Sequence, residues 1–186
     1  MNSALQRFFW GYLFIFSRIH IGIDLLMDPV GYLLIYSGCK KMAVAYPQSK
    51  KPMAVALVGM VVSIPSVFVN LSEPTLAYSW SVYSIGLFII KVVAAYYLFL
   101  LLMEIVNTLS EPALIHRTRN TFKYLIGFHL TAFALMSFYV NTSGDGWIVL
   151  NIIATIGVLL MDILFLFLLR AIRKVAPDSV RIDVTI

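Results

Sequence analysis

Four long apolar runs, at about residues 53–70, 78–104, 121–141 and 147–171, constrain this chain more than any other feature. Each approaches or exceeds the ~20 residues that a helix needs to cross a ~30 Å hydrocarbon layer. Turn-forming or polar stretches separate them: "NLSEPT" at 70–75, "NTLSEPALIHRTRN" at 107–120 and "NTSGDG" at 141–146. Of the 186 residues 61% are hydrophobic and 12% charged, where a soluble domain carries roughly 25% charged residues. The expectation is an all-α, polytopic transmembrane helical bundle. Residues 1–186 form a single integral membrane domain, with 175–186 as a short tail.

The first 50 residues are less regular. Residues 8–27 could span, but Asp28–Pro29 breaks the helix, because proline lacks a backbone donor and clashes with the preceding turn. "VGYLLIYSG" follows and, extended through "CKKMAVAY", is long enough to return. Residues 8–46 are therefore read as a tight helical hairpin, giving six spans. The alternative, one span plus an interfacial helix, gives five. "RIHIGID" alternates like a strand, but an unpaired strand cannot cross lipid, so that reading is set aside. No small-residue cleavage site follows "MNSALQRFFWGYLFIF", which is taken as the first membrane helix. No repeat of convincing length stands out.

Charge placement sets the orientation. Of 14 Lys and Arg, most fall in four places. Arg7 stands at the start, Lys40, Lys41, Lys50 and Lys51 in one connection, Arg117, Arg119 and Lys123 in another, and Arg170, Arg173, Lys174 and Arg181 at the end. The intervening connections carry Asp28, Glu73 and Asp145. By the positive-inside rule both termini are cytoplasmic and the membrane is the plasma (inner) membrane. The same placement accounts for the net charge of +5 without nucleic acid as a partner. The partners implied are the lipid bilayer and, in one reading, other membrane subunits or a second copy.

Polar residues within the spans fall on stripes, since positions three, four, seven and eleven apart share a helical face. Ser17, His20, Asp24 and Asp28 form one stripe, and Gly59, Ser63, Ser66 and Asn70 another, with Pro65 as an expected kink. Ser81, Ser84 and Lys91 line up in the 78–104 run, and Asn151, Thr155 and Asp162 in the last. Small polar residues often serve as packing contacts between membrane helices. Gly31, Gly38 and Ala45, seven residues apart, read as a close-packing seam.

The charges are harder to place. Lys91 lies ~20 Å from either end of its apolar run, at 1.5 Å per residue. An isolated charge at such depth costs at least ~2.5–3.5 kcal/mol. Lys91 and Asp162 are opposite in sign and overlap in depth, so they are expected to pair. His129 has no polar companions on its own face and reads as a packing residue. His20, Asp24 and Asp28 have i, i+4, i+8 spacing, which would present a small cation or proton site on a helix. With Lys91, Asp162, Asn151 and Thr155 they complete the candidate binding set.

No G-x-S-x-G, H-E-x-x-H, C-x-x-C or Walker-type glycine loop occurs, and nothing in the sequence calls for a cofactor or a metal. Lone Cys39 excludes an intrachain disulfide. Three classes remain, in order. The first is a transporter-like or ion-handling bundle built around Lys91 and Asp162. The second is a non-catalytic subunit of a larger membrane complex, and the third an intramembrane enzyme using His20, Asp24 or Asp28.

Overall fold

The computed structural model describes residues 1–16, 20–21, 23–24, 28–68, 78–139 and 145–176. Six α-helices carry the fold: α1 (Asn2–Phe16), α2 (Asp28–Met42), α3 (Lys50–Val62), α4 (Tyr78–Leu109), α5 (Pro112–Tyr139) and α6 (Asp145–Val175). Each packs on its chain neighbour, and α6 returns to pack on α1, closing a ring in sequence order. Successive helices run antiparallel, so the ends rich in Lys and Arg gather on one side. Two hydrogen bonds tie that side together, Lys41 Nζ to Ser3 Oγ at 3.3 Å and Tyr46 Oη to Thr108 Oγ1 at 3.2 Å.

Local chemistry explains where the helices begin and stop. Proline is well placed in a first turn, where its missing N–H would have had no partner, and Pro29 sits there in α2. Asp28 at the same end, with Lys40 and Lys41 in the last turn, complements the helix dipole. Residues 8–46 thus do contain two helices. The first ends at Phe16, however, and does not run to residue 27. His20–Ile21 (β1) and Ile23–Asp24 (β2) pair antiparallel instead, with His20 opposite Asp24. The strand-like reading set aside above is therefore met at these four residues. The i, i+4, i+8 helical spacing of His20, Asp24 and Asp28 is not realised.

α3 ends at Val62, short of the expected residue 70, and where a kink at Pro65 was expected Ile64–Val67 forms a 3-10 turn. Ser63 Oγ and Ser66 Oγ donate to the carbonyls of Met60 and Ser63 at 3.2 and 2.7 Å. Asn70 and the "NLSEPT" connection lie outside the described residues, as do 141–144. The polar stretch 107–120 is mostly helical and not a loop. Only Ser110 and Glu111 interrupt it, with Ser110 in the left-handed region at φ 56° and Pro112 opening α5.

The hairpin of α1 and α2 is closed by glycine. A Cβ at Gly11 would lie 2.6 Å from the Gly31 carbonyl oxygen, and one at Gly31 equally 2.6 Å from that of Gly11. Ile35 flanks the first glycine and Ile15 the second, so the contact has local two-fold symmetry. A short repeat underlies it, overlooked in the sequence: "GYLFIF" from Gly11 and "GYLLIY" from Gly31. Gly38 extends the seam against the Phe8 ring, whereas Ala45 lies exposed beyond the helix.

Among the described residues two helices, over Val82–Leu109 in α4 and Gly146–Val175 in α6, are long and apolar enough to cross a membrane. The 15 residues of α1 and of α2 span only ~22 Å each. α5 has the length, but its first half carries Arg117, Arg119 and Lys123. On length and apolarity the six-span expectation is met by two helices.

Candidate functional site

The ring surrounds a core of aromatic side chains. Phe165 stands 4.5 Å, centroid to centroid, from both Tyr12 and Phe99, and Phe99 reaches Phe122 at 5.3 Å. These contacts join α1, α4, α5 and α6. Beside them, in mid-helix, lies Asp162, 1% exposed.

Three other helices supply groups to its carboxylate. Lys91 Nζ of α4 donates to Oδ2 at 2.6 Å, and the Tyr12 hydroxyl of α1 donates to Oδ1 at 2.6 Å. His129 of α5 places Nε2 3.5 Å from the same Oδ1. That nitrogen makes no hydrogen bond to any described residue. The imidazole is fixed from two sides, with Nδ1 2.9 Å from the Leu125 carbonyl oxygen and Phe88 stacked at 5.7 Å and 18°. The Lys91 ammonium also rests over the rings of Phe16 and Tyr12, at 5.6 and 6.0 Å. Such contacts stabilise a cation by about 0.5–2 kcal/mol.

The arrangement answers the problem of a lysine in an apolar run. Two opposite charges at 2.6 Å, each with further polar or aromatic contacts, offset the several kcal/mol that desolvating an ion costs. Lys91 keeps 15% of its side chain exposed, so its end of the pair is the more open.

Of the residues singled out from sequence, Lys91 and Asp162 meet. Asn151 and Thr155 do not join them. Each bonds to its own helix, Asn151 Nδ2 to the Trp147 carbonyl at 2.9 Å and Thr155 Oγ1 to the Asn151 carbonyl at 2.8 Å. Asp28 is buried at the start of α2. His20 and Asp24 belong to the strand pair, and their side chains lie outside what the structure describes. Tyr12 and His129 are the participants that sequence reasoning missed. Tyr12 looked like one more apolar-run aromatic, and the partner of His129 is on another helix. No known family model, no curated protein and no solved structure matches this chain, so the site is read from its own geometry.

Proposed function

We propose that this protein is an integral membrane protein in which Lys91 and Asp162 form the working element of a small ion or solute carrier. Its six helices are embedded with the basic ends and both termini on the cytoplasmic side of the plasma (inner) membrane. The outer surface supports the membrane reading. Val149, Ile152, Ile156, Leu160, Leu164 and Phe167 lie exposed along α6, and Val82, Ile85, Ile89 and Val93 along α4. A soluble monomer rarely exposes a continuous apolar surface on this scale. The shorter α1, α2 and α3 fall on one side of the ring, where the Gly11–Gly31 contact lets α1 and α2 insert as a unit.

One observation carries the carrier reading: a buried carboxylate held by groups from three other helices, one of them a partly exposed cation. Intramembrane ionisable residues that converge in this way mark ion or substrate pathways. Carrier sites sit near the midplane, as Asp162 and Lys91 do in their helices.

Proteoliposomes with imposed proton, sodium or potassium gradients and a trapped ion-sensitive dye test the reading. The intact protein is expected to dissipate one of these gradients. The refolded double variant Lys91→Met with Asp162→Leu is expected not to. A protein that leaves every gradient intact alone, but is recovered with a larger membrane complex, is the subunit of the second reading.

A further inference from the structure

We infer that the ligand exchanged at this site is a proton, held on His129 Nε2 and shared with Asp162 Oδ1. The transport role of that proton rests on the carrier reading above, whereas the binding site itself follows from geometry. His129 Nδ1 faces the Leu125 carbonyl oxygen at 2.9 Å. A carbonyl only accepts, so Nδ1 carries the ring hydrogen and, in the neutral imidazole, Nε2 is a bare lone pair. That lone pair looks at Asp162 Oδ1 from 3.5 Å. Two acceptors thus face each other while both side chains are sealed, 0% and 1% exposed. A buried acceptor without a donor is costly, by about 1–3 kcal/mol.

Among the described residues no neighbouring side chain supplies the missing donor. There the charged or titratable groups facing the histidine from the packed helices are already engaged: Lys91 of α4 holds the other oxygen, and the single hydroxyl hydrogen of Tyr12 goes to Oδ1. A metal ion does not suit the gap either. It needs four or more ligands, the Lys91 ammonium repels it, and among the described residues no three His, Cys, Asp or Glu converge. A proton fits. It forms an N–H bond at Nε2, turns repulsion into a charge-assisted hydrogen bond, and comes from and returns to water with no other bond changed.

Protonation also alters what the carboxylate holds. Asp162 then faces two cations, His129 at 0% exposure and Lys91 at 15%. Lys91 is the more open of the two, and its ammonium already has the Phe16 and Tyr12 rings beside it as further contacts. Proton uptake on α5 and loosening of Lys91 on α4 are therefore two halves of one exchange.

Nitrogen NMR of the full chain, labelled with 15N-histidine in detergent or lipid, tests this. The His129 signal is identified by its loss in His129→Gln or, if that variant does not fold, by its proximity to the Phe88 ring. At high pH the expected form is the Nδ1–H tautomer. It should give way to the doubly protonated ring on acidification, within the pH range in which the protein stays folded. An Nε2–H tautomer at high pH overturns the inference, and so does a neutral ring throughout that range. In Asp162→Asn the carboxamide can donate to Nε2 and the negative charge is gone, so protonation should be lost or displaced to lower pH. A titration that Asp162→Asn leaves in place also overturns it. The two readings fail separately. A titrating His129 in a protein that passes no ion keeps the proton site and ends the carrier reading. Ion flux with a non-titrating His129 does the opposite.

Discussion

Helices α1 and α2 meet backbone to backbone, Gly11 against Gly31, whereas α4, α5 and α6 are spaced by rings such as Phe99, Phe122 and Phe165. The close pair leaves no interior for a polar side chain. The ring-spaced helices leave one, and Lys91, His129 and Asp162 occupy it. Among the described residues the first half contributes one hydroxyl to that interior, from Tyr12, which directly follows the seam glycine. Its repeat counterpart Tyr32, following Gly31, points toward α3, where the ring lies 2.6 Å from the place a Gly59 Cβ would take. One "Gly-Tyr" copy thus faces the charged cluster and the other braces the hairpin. Close packing fixes a position, and looser packing makes room for chemistry.

The comparison breaks most severely if the interior of the second half is left with one lone charge. Lys91→Met or Asp162→Leu should each destabilise the protein by about 3–5 kcal/mol. The double variant should recover part of the loss, because a neutral pair strands no ion. Thermal unfolding in detergent of the three variants, read as a double-mutant cycle, measures it. Simply additive losses would mean that the 2.6 Å contact carries no coupling.

The legibility of this site follows the same division. A charge inside an apolar run is conspicuous, and two opposite charges at overlapping depth name each other, so Lys91 and Asp162 were readable. Tyr12 was not, because its ring is ordinary in an apolar helix and only its hydroxyl is functional. His129 was set aside because a stripe records one helix, and its partner stands on another. The start of α2 at Asp28–Pro29 and a departure from the α-helix near Pro65 were legible through proline's missing donor. The early end of α1 at Phe16 was signalled only by the alternation of "RIHIGID", which was outweighed by the length of the apolar run, although His20–Ile21 and Ile23–Asp24 do pair. Apolar content sets where a chain tolerates lipid, and it does not count residues per helix.

Among the described residues Tyr12 is the hydrogen-bonding link between the halves at the cluster, so Tyr12→Phe sharpens the comparison without disturbing the packing. It keeps the edge contact with Phe165 and removes only the donor to Asp162 Oδ1. Hydrogen bonds to charged groups contribute about 1.5–3 kcal/mol, and a loss in that range is expected in unfolding assays. A neutral Tyr12→Phe would show that α1 supports the cluster by shape alone.

The smallest effects should differ in sign between the halves, and one substitution type shows it. Gly11→Ala places a methyl 2.6 Å from the Gly31 carbonyl oxygen and 2.9 Å from Ile35. Those atoms are a backbone and a packed branched side chain, so neither yields without opening the hairpin. Overpacking of this kind costs about 1–3 kcal/mol. Gly127→Ala, in the middle of α5, meets nothing within 4 Å. There the methyl only removes backbone freedom from the unfolded chain and favours the helix, a gain of about 0.5–1 kcal/mol. Unfolding temperatures of the two variants should therefore move in opposite directions from that of the parent. A shift of the same sign in both would mean that glycine plays the same part in the seam as on the open face of α5, and the contrast between the two halves would fall.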